Sequence, residues 1–404
     1  MNNKSMKERK PRVLKVCINE WLYASRDQRE LSVYKNAGAE VLVLAKGKKT
    51  SDFPEDVNGF SVYRCTSKPL GDRVPSFLNR VASVFVWVRH IRKRHADFLS
   101  CHDLGALALG WMSTLGMKNK PQLIYDSHEF EIYRINRTRL QQSFIKLAEG
   151  YLIKKCVFSV VVNDSIANAV QKIHGLEEKP LVIRSIPQKW NVNEEVCNDK
   201  REELLSKMPG GRNVEHLLMF HGNMGKGRGI ECAIHALSVA ENVGIVLMGR
   251  QTNSGLIDEI NAIAGQYDAL DRLLFIDAVP YEDIWKYAGA VDIEIMMVES
   301  ISKSYHYALP NKMFESIQSM TPIISSDLPE MERIVKKYGI GLVCHEGDIE
   351  GMKSAVLKLC TDKELYFQIK DNLRKAKEIL CWENEQKKLI EKFYNVSGLE
   401  ERHC

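Results

Sequence analysis

Short apolar runs alternate with longer segments of helical periodicity along nearly the whole chain. No other feature constrains the fold as tightly. Residues 13–18, 41–44, 60–64, 96–101, 122–125, 157–162 and 181–183 read as strands, with a helix at 27–37 stopped by Gly38. Strands spaced by helices predict a parallel sheet covered on both faces. After Pro187 the pattern lapses. Residues 188–216 are charge-rich and hold Pro209 and the pair Gly210-Gly211, which marks a junction with one short helix at 200–207. The alternation then restarts, with strands at 217–220, 244–248, 274–276, 293–297, 322–325 and 342–344. Helices are expected from Gly229, Tyr281, Pro310, Pro329 and Asp348, and a long amphipathic one over 363–394. The fold class is therefore α/β, with two doubly wound Rossmann-like domains. A length of 404 residues suits two domains of about 200. The boundaries fall at 1–190, 191–375 and a closing helical segment at 376–404. Ligands in such sheets sit beyond the carboxyl ends of the strands, so two facing domains would place the site in a cleft between them.

Composition narrows the setting. Apolar residues at 45% and charged residues at 27% exclude a largely disordered chain. The ten cysteines include no C-x-x-C pair and no Cys/His cluster of zinc spacing, so a reducing cytoplasm is the expected location. Residues 1–11 are basic and polar and lack the apolar core of a signal peptide. No stretch approaches the roughly 18 apolar residues of a membrane span. The net charge of +5 hides an asymmetry: residues 1–190 carry fourteen more basic than acidic residues, and residues 191–404 nine more acidic than basic. A basic half implies an anionic ligand or surface.

The segment Leu309-Pro310-Asn311-Lys312-Met313-Phe314-Glu315, followed by Met320-Thr321-Pro322-Ile323-Ile324-Ser325-Ser326-Asp327, is the most informative. A loop enters a helix at Pro310, where first-turn amides lack intrahelical partners and can bind phosphate. Lys312 adds a point charge. Glu315, one turn on, is placed to accept hydrogen bonds from sugar hydroxyls and to be reached by solvent. A capped surface helix with a solvated glutamate fits the same spacing.

With this block the chain resembles the GT-B glycosyltransferases, specifically the retaining family 4 enzymes. The likeness also rests on Asp27-Gln28-Arg29, Gly38-Ala39-Glu40-Val41, Tyr125-Asp126-Ser127-His128-Glu129, His221-Gly222-Asn223 through Gly227-Arg228-Gly229, Val246-Leu247-Met248-Gly249, and Trp382 with Tyr394. It spans nearly the whole chain in the family's order. The resemblance implies a nucleotide-sugar bound mainly by the second domain: Glu315 at the donor ribose, Arg228 at the diphosphate, Gly222 and Gly249 near the phosphates and base. Asn223, Arg250 and Asn311 complete the implied donor set. It also implies His128 beside the transferred sugar, a final helix crossing back to the first domain, a UDP- or GDP-sugar donor, and no obligatory metal. Asp126, His128 and Glu129 form the expected catalytic cluster on the acceptor side. His128 read alone fits a core histidine bonded to backbone. Asp103 either points into the cleft or caps the next helix. Two departures stand out. Tyr307 occupies the acceptor-side position where the family often has a first glutamate, with Glu299 a substitute carboxylate, and Asn223 stands where many members have arginine. The loop at 19–25 also lacks the usual glycine pair.

The expected reaction moves a sugar from UDP- or GDP-sugar to a glycan or polyprenyl-linked acceptor in surface polysaccharide synthesis. A GT-B nucleotide-sugar epimerase and a non-catalytic GT-B partner subunit are the alternatives, the latter favoured by Tyr307. Phe77, Leu78, Val81, Val84, Phe85, Val88 and Ile91 recur at helical spacing beside Arg80, Arg89, Arg92, Lys93 and Arg94. Such a helix either packs on the sheet or lies on an anionic membrane, with Trp87 at the interface. A second basic segment covers 134–155. The first reading gives a cytoplasmic protein, the second one peripheral on the inner face of the membrane. Nucleic acid is not an expected partner, because no helix-turn-helix, zinc or RNA-binding motif accompanies the charge.

Overall fold

A computed structural model describes residues 9–21, 25–252 and 255–399. Most of the basic leader at 1–11, residues 22–24 of the 19–25 loop, and Cys404 lie outside the described residues. The chain forms two units. The first holds residues up to Arg184 together with the chain from Gln386 onward, and the second runs Ser185–Glu385.

The first unit has eight strands: β1 Arg12–Cys17, β2 Glu40–Lys46, β3 Glu55–Val57, β4 Phe60–Cys65, β5 Phe98–His102, β6 Gln122–Ser127, β7 Cys156–Val161 and β8 Leu181–Val182. Their order is β3-β4-β2-β1-β5-β6-β7-β8, with every pair parallel except β3 with β4. Strands β1 and β5 are central and buried nearly end to end. The chain leaves β1 toward one edge and returns beside it at β5, so the switch point of the sheet lies between them. The carboxyl ends of β1, β5 and β6 gather Cys17, His102 and Ser127 there.

The second unit has six parallel strands: β9 His216–His221, β10 Val243–Met248, β11 Leu273–Ile276, β12 Ile293–Met296, β13 Ile323–Ser326 and β14 Gly341–Cys344. The order is β11-β10-β9-β12-β13-β14, which puts its switch point between β9 and β12. Apolar residues of the strands and the flanking helices pack into two clusters, a larger one that holds Leu218, Ile245 and Ile324 and a smaller one that holds Leu217, Met219 and Val246.

The helices depart from the sequence reading in informative places. The closing helix is two, Lys363–Ile379 and Trp382–Ser397. The first stops because the buried Gln318 amide takes the carbonyls of Lys377 and Leu380, both at 2.9 Å. The chain then buries Leu380, Cys381 and Trp382, and the Trp382 amide bonds Pro187 O. In the first unit, Phe393 of the second helix packs on Tyr34 and Phe98. The helix expected from Gly229 is one short turn, Ile230–Ile234, continued as a tighter 3₁₀ turn, His235–Ser238. No helix of the described residues is long and apolar enough to cross a membrane.

The basic helix is Ser76–Arg92. Trp87, expected at a lipid interface, is buried in the core instead. The basic run at its end is also occupied: Arg92 donates to the carbonyls of Ser113 and Leu115, Lys93 pairs with Asp52, and buried Arg94 stacks on Tyr63.

Candidate functional site

In the first unit a charged cluster sits at the carboxyl ends of β1, β5 and β6. Its centre is Lys15, a fully buried lysine in the middle of β1. Nζ lies 2.6 Å from Asp27 and 2.7 Å from Asp126, with Glu30 at 3.6 Å. Burial alone would drive the ammonium to neutrality. The three carboxylates outweigh that and hold its pKa well above the ordinary value. Arg26 adds a second cation, bonded to Glu30 at 2.8 Å and to Asp126 at 3.4 Å. Burial would raise the Asp126 pKa, but His128, Lys15 and Arg26 hold it well below the carboxylate range.

His128 stands on this base, partly open to solvent, with Nε2 3.0 Å from Asp126 Oδ2 and 3.6 Å from Asp27. His102, buried beside it, bonds Asp27 through Nδ1 at 2.9 Å, and the two imidazoles meet edge to face. Asp27, His102, Asp126 and His128 are residue types and spacings that a metal ion accepts. The cation between the two carboxylates here is the Lys15 ammonium.

The other expected residues of this unit are placed differently. Asp103 is not the cap of its helix; His102 is, and Asp103 opens the helix at φ 62. Its carboxylate accepts from the His128 amide at 3.2 Å and from Arg134 at 2.8 Å, so it fixes the backbone under the histidine. Glu129 is exposed and paired with Arg134, apart from the Asp126–His128 pair. Lys15, Arg26, Glu30 and His102 were not singled out from the sequence. A lysine inside an apolar strand was the available signal.

In the second unit, β9 ends at His221, a buried histidine held between two carboxylates. Nε2 is 2.8 Å from Glu315 and Nδ1 is 3.0 Å from Glu294, a fully buried residue of β12. Burial lowers the histidine pKa, but the two glutamates overcome it and raise the value to about 9. His221 is therefore a cation at neutral pH. Glu315 was expected to be solvent-reachable. It is only 7% exposed, because it turns inward to His221.

Lys312, in the first turn of the helix Asn311–Gln318, is buried, and its Nζ lies 3.5 Å over the Phe220 ring with no hydrogen-bond partner. Burial, aided by nearby Arg228, lowers its pKa to about 8 against the opposing pull of Glu294 and Glu315. Arg228 is half-buried against the Tyr305 ring. Pro310 caps the helix without a side-chain acceptor, so the first-turn amides have no side-chain partner there. Asn311 is exposed there. The loops after β9 and β10 are stitched together: Gly222 N bonds Met248 O, and Met224 N bonds Arg250 O. A Cβ on Gly249 would lie 1.8 Å from Gly222 O, so only glycine allows this approach. Gly222, Asn223 and Arg250 are exposed on these loops, and Tyr307 is half-buried with its ring near His306. In the sequence Glu294 lies inside the apolar run 293–297 and His221 opens the His221-Gly222-Asn223 motif, so neither stands out as a member of a charged pair.

Two Rossmann-like units, with cations and a helix N-terminus at the switch point of the second, make up the GT-B fold. Residues 206–376, most of the second unit, match the family described as glycosyl transferases group 1. Among solved structures, the chain is similar to sucrose-phosphate synthase from Thermosynechococcus elongatus, at 14% identity and a TM-score of 0.75, covering 97% of this chain and 100% of that one. Anabaena HepE in complex with UDP and glucose gives 12%, 0.72, 96% and 100% in the same terms. The lipopolysaccharide outer core galactosyltransferase WaaB gives 11%, 0.64, 94% and 99%. At these identities the likeness is one of fold. No curated protein sequence matches the chain.

Proposed function

We propose that this protein is a retaining glycosyltransferase of the family 4 type. It moves a sugar from UDP- or GDP-sugar to a glycan or polyprenyl-linked acceptor in surface polysaccharide synthesis, on the cytoplasmic side of the membrane. The observation that carries the donor half is Lys312: a buried ammonium without a hydrogen-bond partner, at a helix N-terminus, beside Arg228. A diphosphate satisfies all three at once. UDP bound by HepE and the activity named for WaaB support the donor class and the acceptor class respectively. In this reading Glu315 meets the donor ribose. His128, backed by Asp126, faces the transferred sugar. The leaving phosphate takes the acceptor's proton on the same face, so neither a covalent nucleophile nor a metal is required.

Incubation with a panel of UDP- and GDP-sugars, with nucleotide release as the readout, tests the reading. Release with one donor, insensitive to chelator, is expected. An interconverted nucleotide-sugar without release would identify an epimerase. No release with any donor, with or without lipid-linked acceptor, would leave a non-catalytic subunit.

Lys312 supplies a pH test. A diphosphate favours the charged ammonium, so binding above pH 8 must take up a proton. UDP affinity measured by calorimetry should fall as pH rises through about 8, by at most about tenfold per pH unit. The Lys312→Met protein should bind more weakly and lose this slope between pH 7 and 8.5. The same slope in both proteins would remove Lys312 from the diphosphate.

A further inference from the structure

We propose that the first unit docks on an anionic lipid bilayer through one face built from the helices Ser76–Arg92 and Arg139–Ile153. Each helix buries one side in the unit and turns a stripe of large apolar side chains to solvent. On the first helix Phe77, Leu78, Val81 and Phe85 are exposed, Phe85 by 72%. On the second the stripe is Leu140, Phe144, Leu147 and Tyr151, with Phe144 73% exposed. Both stripes follow helical spacing, so each is continuous along its helix. The helix Asp103–Thr114 packs against both, and its Trp111 ring meets the Tyr151 ring at 5.6 Å. The two stripes therefore belong to one face of the sheet.

Charge selects the occupant. The first helix has no acidic residue. The second has one, Glu149, which is buried and bonded to His174 and Tyr125. Arg80, Arg89, Arg139 and Lys146 stand exposed beside the stripes, with no acidic partner among the described residues. A protein partner of mixed charge would leave these cations uncompensated. An anionic headgroup layer neutralises them while the aromatic and aliphatic side chains enter the acyl boundary.

The topology also orients the face. One helix leads from β4 to β5 and the other from β6 to β7, so both begin at the carboxyl edge of the sheet. That is the edge that carries His128. Phe77 and Leu140, near the two helix starts, would enter the bilayer on the same side of the unit as the charged cluster. This docking stands apart from the reaction proposed above, and its test uses no sugar donor.

Cosedimentation of the full chain with two vesicle types decides the matter. One is pure phosphatidylcholine, the other phosphatidylcholine with about 30 mol% phosphatidylglycerol. Binding to the anionic vesicles alone is expected, with loss in about 0.5 M salt. The pair Phe85→Ser with Phe144→Ser should weaken binding by roughly tenfold or more. The pair Arg80→Glu with Lys146→Glu should do the same. These side chains are exposed, so melting temperatures should match the parent protein. If the serine pair fails to fold, the charge-reversal pair carries the test. Absence of binding to anionic vesicles at low salt overturns the proposal, as does equal binding to both vesicle types or indifference to the charge reversal. Self-association by light scattering that is lost in the serine pair, without vesicle binding, would assign the face to a second copy of the chain and overturn it equally.

Discussion

Replacing Lys15 with methionine should destabilise the first unit by about 3–5 kcal/mol, the range for a buried ion pair deprived of one partner. Methionine fits the space, so the effect is electrostatic rather than steric. Asp27 and Asp126 would lose a cation at 2.6 and 2.7 Å, and Arg26 alone would face three buried carboxylates. The protein should respond by protonating a carboxyl. In the parent, Asp126 titrates well below its ordinary value, so the stability it contributes is present at neutral pH and is lost only as pH falls below about 4. In Lys15→Met that acid loss should move to higher pH. Urea unfolding followed across pH 3–8 is the measurement. A midpoint equal to the parent's throughout would mean that the buried network contributes nothing to stability.

The second large effect belongs to His221. Its pKa of about 9 in the folded chain lies above the ordinary value of about 6.5. A raised histidine contributes stability that is complete below about pH 6.5 and disappears as pH climbs through about 9. The difference corresponds to about 3 kcal/mol. His221→Gln should therefore be less stable than the parent by about that amount at pH 6. The gap should close progressively toward pH 9.5. Function should follow a different course. Glu315 loses the hydrogen bond that turns it inward and Glu294 is left buried without its cation. Under the donor-site reading, KM for the nucleotide-sugar should rise more than kcat falls, and Glu315→Ala should show the same split. A stability gap that stays constant from pH 6 to 9.5 would refute the charged histidine. An unchanged KM in Glu315→Ala, with the stability gap intact, would leave the electrostatics standing and remove the carboxylate from donor recognition.

Much of the fold was legible because period and punctuation are local properties. The apolar runs at 13–18, 217–220 and 244–248 correspond to the strands β1, β9 and β10, and the pause after Pro187 precedes the restart at β9. Pro310 marked the entry to the Asn311–Gln318 helix. The break at Leu380 was not legible, because nothing near 380 breaks a helix. The stop comes from Gln318, some sixty residues earlier in the chain. The short edge strand β3 carries too few apolar residues to stand out from its flanks.

The site residues divide along a similar line. Lys312, Arg228 and the glycines after β9 and β10 belong to local motifs and could be named. Glu294 and Lys15 each look like a fault in an apolar run, and their meaning depends on partners far away in sequence: His221 for one, Asp27 and Asp126 for the other. Amphipathicity marked the basic helix at 76–92, but periodicity alone does not say which stripe faces the core. Trp87 went inward and Phe85 outward.

Under the docking and transfer proposals, the two helices without an exposed acid would also bear on how the protein meets its acceptor. Were both helices to sit in the headgroup layer, translation would be confined to two dimensions and tumbling to rotation about the membrane normal. A lipid-linked acceptor of the kind proposed, diffusing in the same leaflet, would then meet the protein at an effective concentration set by area rather than by volume. Ionic strength, by tuning how long each visit lasts, would govern the number of carriers sampled before the protein returns to bulk water.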